Sequence, residues 1–229
     1  MRVLVEGLPA TGRQSLVWEL VNALQFRRIP AQHRAGALRP TWIDGALDGA
    51  DPSSVWVPWA RLASAAWDAV SAKPVDWIEV QQGYLGEAIA QSVAFGQTTS
   101  ERLLRAMRPH AAHFDAVIVL HGPRRHLLER LRTEGSADPA APNLLTDAAR
   151  FHAADRALKD YGDAVGALRL NVTRLSPEQA LEQAVAHVLA TWATRTGWMI
   201  GVETIPAPVH DPRWPGHQPA WTLDEVGDR

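Results

Sequence analysis

Residues 3 to 16, VLVEGLPATGRQSL, have the pattern best suited to chemistry in this chain. Gly7 and Gly12 are separated by four residues and lie between a short apolar run and a segment of helical period. Glycines at this spacing let backbone N–H groups wrap around phosphate oxygens, and the start of a helix adds the positive end of its dipole. We therefore predict a phosphate-binding loop made of Gly7, Leu8, Pro9, Ala10, Thr11, Gly12, Arg13, Gln14 and Ser15.

Two positions of this loop depart from the pattern GxxxxGK[ST], in which lysine reaches the terminal phosphates and a hydroxyl holds Mg²⁺. Arg13 stands in the lysine position, where it keeps the charge but is longer and bulkier. Gln14 stands in the hydroxyl position and is a poorer Mg²⁺ ligand, while Ser15 lies about 100° further around a helix. The backbone can still bind an anion, but these residues are less suited to metal-assisted phosphoryl transfer. The alternative is that both glycines only form a tight turn.

A second group of candidates follows the apolar run VDWIEV, residues 75–80, which predicts a buried strand. Glu79 at its predicted C-terminal end is expected to orient or deprotonate an acceptor hydroxyl, and to share Mg²⁺ with Ser15. The alternative for Glu79 is a structural carboxylate paired with an arginine. Gln81 and Gln82 resemble the glutamines with which deoxynucleoside kinases bind a base, and this resemblance implies that they bind the acceptor. Simple solvent exposure is their alternative.

Further candidates lie on predicted helices. Arg130 and Arg132 precede a Gly-, Ser- and Pro-containing segment that is expected to be a lid, at about residues 132–145. Both resemble the lid arginines of small-molecule P-loop kinases, and this resemblance implies a role in catalysis. The alternative is that they belong to a solvated helix face. Trp56 is predicted to stack on an aromatic acceptor, with core packing as its alternative.

The elements that must position these residues alternate along the chain. Strand-like runs are predicted at 2–6, 29–34, 75–80, 115–120 and 167–172, and helices at 13–25, 56–71, 83–95, 99–109, 123–133, 145–161 and 177–192. Such alternation predicts an α/β fold, a three-layer α/β/α sandwich with a parallel sheet. A parallel sheet binds ligands at the carboxyl ends of its strands, which is where the glycine loop falls.

Composition narrows the function classes. The 229 residues carry a formal charge of -2, so bulk nucleic-acid binding is not indicated. Cysteine is absent, and no histidine spacing typical of a zinc enzyme occurs. We find no apolar run of membrane-spanning length, so the expected protein is cytoplasmic and has no membrane partner.

The chain resembles the P-loop kinases of the nucleoside and nucleotide kinase group, the deoxynucleoside and thymidylate kinase-like proteins. The resemblance rests on VLVEGLPATGRQSLVWELVNALQ, DAVIVLHGPRRHLLERLRTEG and LRLNVTRLSPEQALEQAVAHVL, with a degenerate Walker A loop. It implies a P-loop NTPase type of fold over residues 1–196, followed by a Trp- and Pro-rich extension at 197–229. It also implies ATP or another nucleoside triphosphate and Mg²⁺ as cofactors.

The resemblance further implies transfer of a γ-phosphoryl group to a small acceptor, such as a nucleoside or nucleotide. Two alternatives stay open. One is a catalytically impaired pseudokinase that acts as a binding module, for which Gln14 is the best argument. The other is a sulfotransferase-like enzyme, because GLPATG is also similar to a phosphosulfate loop. The expected partner is a small-molecule acceptor, with a homodimer as a further option.

Overall fold

The structure is a computed structural model that describes residues 1–34, 60, 63–64, 66–68, 76–108, 113–135 and 141–196. The strands within these ranges are β1 (Arg2–Gly7), β2 (Ala31–Arg34), β3 (Ile78–Gln82), β4 (Ala116–His121) and β5 (Leu168–Asn171). The helices are α1 (Arg13–Phe26), α2 (Leu85–Ala94), α3 (Thr98–Met107), α4 (Arg124–Glu134), α5 (Ala141–Thr146), α6 (Ala148–Ala164) and α7 (Pro177–Thr196).

The five strands form one sheet in the order β2-β3-β1-β4-β5, and each of these neighbouring pairs is parallel. β1 is the central strand, with β3 on one side and β4 on the other. Residues Val3 to Gly7 of β1 are buried, as expected for a parallel strand that is covered on both faces of the sheet. The loop after Gly7 therefore begins at the middle of the carboxyl edge of the sheet.

Helices cover both faces of the sheet. Val3 and Val5 pack with buried residues of α1 and α7 on one face, and Leu4 packs with α2, α5 and α6 on the other. The alternation of β1 side chains between two separate apolar clusters defines three layers. The predicted α/β/α sandwich with a parallel sheet is confirmed.

The structure corrects two predicted boundaries. β3 spans Ile78–Gln82 and not 75–80, so Glu79 is the second residue of the strand. The predicted helix at 145–161 is two helices, because the Asp147 carboxylate accepts the backbone N–H groups of Ala149 and Arg150 and so caps a new helix, α6.

Several predictions fall wholly or partly outside the described residues. They include the position of Trp56, most of the helix predicted at 56–71, the extension at 197–229 and the middle of the expected lid, residues 136–140. The flanks of that lid are helical, in α4 up to Glu134 and in α5 from Ala141. Among the described helices, none has the length and apolarity needed to span a bilayer.

A polar cluster is buried at the amino half of the sheet. Asp68 is fully buried and accepts a hydrogen bond from Arg2 Nη2 at 2.8 Å, and its second oxygen pairs with Arg34. Glu79 Oε2 lies 3.2 Å from Arg34 Nη1 and 3.8 Å from Arg2 Nε. Gln81 accepts a further bond from Arg2 Nη2 at 3.0 Å. Two arginines thus balance two carboxylates in a mostly water-free setting.

We predict that Asp68→Ala lowers the free energy of unfolding by about 3–5 kcal/mol, because it leaves two arginines without their buried carboxylate. Chemical denaturation measures this change. The control is Glu101→Ala, which removes a carboxylate from an i,i+4 pair with Arg105 that lies closer to solvent; its expected effect is below about 1 kcal/mol. Equal effects of the two substitutions would contradict a structural role for the cluster.

Candidate phosphate site

The glycine loop turns tightly from β1 into α1. Thr11 is buried, and its hydroxyl donates a hydrogen bond to the Leu8 carbonyl at 2.7 Å. Gly12 precedes α1 with φ at 82°, a left-handed conformation that glycine adopts without steric cost. The Leu16 N–H then bonds to the Gly12 carbonyl at 3.0 Å as the helix begins. The loop is thus followed directly by a helix N-terminus, as anion binding requires.

Two further residues show how closely this loop is packed. A Cβ atom on Gly7 would lie 2.6 Å from Thr11 Oγ1 and 3.1 Å from the Leu120 carbonyl oxygen, so only glycine fits there. Ala10 has φ at 62°, which for a residue with a side chain costs about 1–2 kcal/mol. The loop conformation is therefore imposed by its surroundings and includes a strained residue, a feature that clusters at functional sites.

Arg13, in the lysine position, forms an ion pair with Glu87 in the first turn of α2. Both side chains are mostly buried, with 12% and 17% of their surface exposed. Because α1 and α2 pack on opposite faces of the sheet, this pair joins the two helical layers across the carboxyl edge. Gly83 leaves room for it, since an added Cβ would lie 3.2 Å from Arg13 Nη1 and 2.6 Å from Glu87 Oε2.

Glu6 lies beneath this ion pair and is fully buried. Its carboxylate accepts backbone N–H groups from Tyr84 and Gly86 at 3.0 Å each and from Glu87 at 3.2 Å. Burial, followed by the nearby charge of Glu87, raises the pKa of Glu6 to about 8, although Arg13 and the N–H groups act in the opposite direction. Glu6 thus fixes the start of α2 and with it the position of Glu87.

The structure does not bring Glu79 to the loop. Glu79 is aligned with Arg2 in the β1–β3 register, five residues before Gly7. At the usual strand rise this is about 16 Å along the sheet. The position predicted for Glu79 was wrong because the strand continues two residues beyond the predicted end, and its carboxylate belongs to the buried arginine cluster.

The remaining predicted residues are dispersed. Gln81 is buried and engaged by Arg2, whereas Gln82 is half-buried on the opposite side of β3. Arg130 makes a two-point ion pair with Glu134 on its own helix, at 3.0 and 2.9 Å. Arg132 is exposed on the same helix. Of the predicted site residues, Arg13 lies at the loop. The described acceptor and lid residues do not form one site with it.

The residues around the loop do not fit Mg²⁺ in the way that the GxxxxGK[ST] pattern uses it. Gln14 is exposed at the hydroxyl position, and Ser15 is half-buried one residue later. Glu79, the other predicted ligand, is remote from the loop. The carboxylate that does reach the loop is Glu87, and it is bound to Arg13. Among the described residues, no group of three or more acidic, histidine or cysteine side chains is arranged to hold a metal ion.

Sequence reasoning did not select Glu6 or Glu87 as site residues. Glu6 had a local signal, because it is an acidic residue directly before the first loop glycine in an otherwise apolar strand. Glu87 had none, since its approach to Arg13 depends on how α2 is oriented across the sheet edge. That orientation is set by the packing of α2 on the sheet and on α6, together with the three N–H contacts that Glu6 makes with its start.

Comparison with known proteins supports the fold. No protein-family model matches the chain, and no curated protein sequence matches it. Among solved structures it is similar to deoxyadenosine kinase from M. mycoides with bound dATP, with a TM-score of 0.57 and 13% identity over 82% of this chain and 100% of that chain. The chain therefore has a P-loop kinase-like α/β fold.

We predict that Glu6→Gln flattens the dependence of stability on pH. Because the pKa of Glu6 is raised to about 8 from an ordinary value of 4.5, folding takes up a proton between these values, and its contribution to stability falls as pH rises. The difference in unfolding free energy between wild type and variant should therefore fall by about 3–4 kcal/mol from pH 5 to 8. Urea denaturation at several pH values measures it.

The control for this experiment is Glu178→Gln. The hydroxyl of Ser176 holds the pKa of Glu178 below its ordinary value, so the stabilisation from its charge is fully present above that value and is lost only as the pH falls below it. Its profile should run parallel to that of the wild type from pH 5 to 8. A parallel profile for Glu6→Gln as well would contradict the predicted titration of Glu6.

Proposed function

We propose that the chain is a nucleoside-triphosphate-binding module with a P-loop kinase-like fold, in which Arg13 and the loop backbone hold the phosphates. The observation that carries this proposal is the loop itself. A strained, tightly packed turn follows the central strand and leads directly into α1, with Arg13 as the first helical residue. Backbone N–H groups and a guanidinium at one helix N-terminus are the donor set that phosphate oxygens require.

The similar solved structure agrees with this proposal, because that protein is a kinase with dATP bound. The altered loop residues favour binding over turnover. Arginine binds phosphate through a planar fork of N–H donors, so it supplies charge without lysine. Gln14 lacks the hydroxyl that the standard loop offers to Mg²⁺. The proposed module thus keeps the anion-binding part of a kinase and not the standard metal-binding part.

The second candidate is γ-phosphoryl transfer to a small acceptor such as a nucleoside or nucleotide. It is favoured by Glu87, a carboxylate at the carboxyl edge of the sheet within reach of Arg13. In such a step the bond from the γ-phosphorus to its bridging oxygen breaks, a bond to the acceptor oxygen forms, and Glu87 takes the hydroxyl proton. Positioning and electrostatics supply most of the catalysis in this chemistry.

Calorimetric titration with ATP and GTP tests the binding proposal. We expect wild type to bind, and Arg13→Ala to bind at least about tenfold more weakly, because a charged phosphate contact is lost. The matched control is Arg28→Ala, which removes an exposed arginine at the other end of α1 and should leave affinity unchanged. Wild-type affinity in Arg13→Ala, or no binding by wild type, would contradict the proposal.

A restored loop tests whether turnover was lost with the lysine and hydroxyl. The double variant Arg13→Lys, Gln14→Thr should raise Mg²⁺-dependent affinity for triphosphate or the rate of phosphoryl transfer by about tenfold or more, because it completes the standard pattern. Transfer of labelled γ-phosphate to a panel of nucleosides and nucleotides is the readout. An unchanged affinity together with an unchanged rate would count against a phosphate role for the loop.

A further inference from the structure

We infer that the loop is an anion-exchange site, in which the Glu87 carboxylate holds Arg13 until a metal-free phosphate group replaces it. The ligand class is accordingly a free polyphosphate anion, such as an uncomplexed nucleoside triphosphate, and not its Mg²⁺ complex. This inference rests on the proposed function, because it names the form in which the phosphate ligand is bound.

The Arg13 side chain extends alongside the loop. A Cβ on Gly7 would lie 3.1 Å from Arg13 Cγ, and a Cβ on Gly83 would lie 3.2 Å from Arg13 Nη1. The side chain therefore runs from the start of α1 past the first loop residue to the segment between β3 and α2. Its guanidinium meets Glu87 there. A phosphate held by the loop would lie beside this same side chain and compete for its guanidinium.

The two carboxylates near Arg13 differ in how deeply they are buried and in how they are bound. Glu6 is fully buried and bound by three backbone N–H groups, so it is fixed. Glu87 is 17% exposed and lies on the first turn of α2, where its carboxylate pairs with Arg13 and accepts a long hydrogen bond from Gln91 Nε2 at 3.4 Å. Glu87 is thus the group that an incoming anion can displace, and Arg13 the cation that it takes over.

The charge of the ligand determines whether the free anion or its Mg²⁺ complex binds better. A Mg²⁺-bound triphosphate carries less negative charge than the free anion, so it competes less well with a carboxylate for a guanidinium. The standard loop offsets this by giving the metal a hydroxyl ligand, but here that position is Gln14. Charge and ligand set therefore both favour the uncomplexed anion.

Calorimetry with inorganic tripolyphosphate and ATP tests this exchange, each ligand being titrated with EDTA and then with Mg²⁺. We expect Glu87→Gln to bind metal-free tripolyphosphate about tenfold more tightly than wild type, because Arg13 is released from its competing charge. Mg²⁺ should weaken binding to wild type. The control Glu101→Gln removes the same charge from a pair on α3 and should bind as wild type does. Glu87→Ala serves as a second variant if Glu87→Gln folds poorly.

Several results would overturn the inference. One is unchanged or weaker tripolyphosphate binding by both Glu87 variants. Another is binding that Mg²⁺ strengthens and that Glu87→Gln weakens, which would make Glu87 a metal ligand. If wild type binds and Arg13→Ala does not, while Glu87→Gln has no effect, the exchange fails and the proposed function stands. If no protein binds any phosphate ligand, both fail together.

Discussion

The ion pair between Arg13 and Glu87 is the interaction on which the candidate site depends. It joins the helix that follows the glycine loop to the helix that follows β3, and these helices lie on opposite faces of the sheet. Glu6 supports the pair from below by binding the backbone at the start of α2. The geometry of the loop edge therefore follows from the buried Glu6, from Arg13 and from the Glu87 carboxylate that pairs with it.

Polar groups on the Leu4 face of the sheet form two separate clusters. At the carboxyl edge, Glu6, Arg13 and Glu87 surround the start of α2. At the amino half, Arg2 and Asp68 belong to the cluster that contains Glu79. Leu4, fully buried, lies between Arg2 and Glu6 on β1. Each cluster contains an ion pair between opposite charges, which limits the free-energy cost of burying them. Glu79 is bound by arginines in the cluster at the amino half of the sheet, so its role there is structural and it does not lie at the loop.

Much of the fold could be predicted from sequence because its signals are local. The apolar run of β4 specifies a strand, and the buried leucines Leu16, Leu20 and Leu24, spaced four residues apart, specify the helix α1. Gly7 and Gly12 mark the turn between strand and helix. Alternation of such elements then leaves few topologies. The end of β3 was harder, since Gln81 and Gln82 are polar residues within a strand and appear as a loop in a hydropathy pattern.

The site was less predictable because it depends on contacts distant in sequence. Arg13 and Glu87 lie 74 positions apart in the sequence, and nothing near either one indicates the other. Likewise, Arg34 reaches both Glu79 and Asp68 only after β2 pairs with β3. Because β3 ends two residues later than predicted, the Glu79 carboxylate lies within the sheet and not at its carboxyl edge. The sequence was sufficient to locate the loop, but not to identify the residues that contact its side chains.

The most direct test of this account observes the Arg13 side chain itself by NMR. The Nε–H signal of Arg13, assigned by comparison with an Arg13→Lys sample, is followed while ATP is added in the presence of EDTA. We expect the signal to shift as the guanidinium leaves Glu87 and binds phosphate. A signal that stays unchanged while ATP binds elsewhere on the protein would contradict the central role given to Arg13.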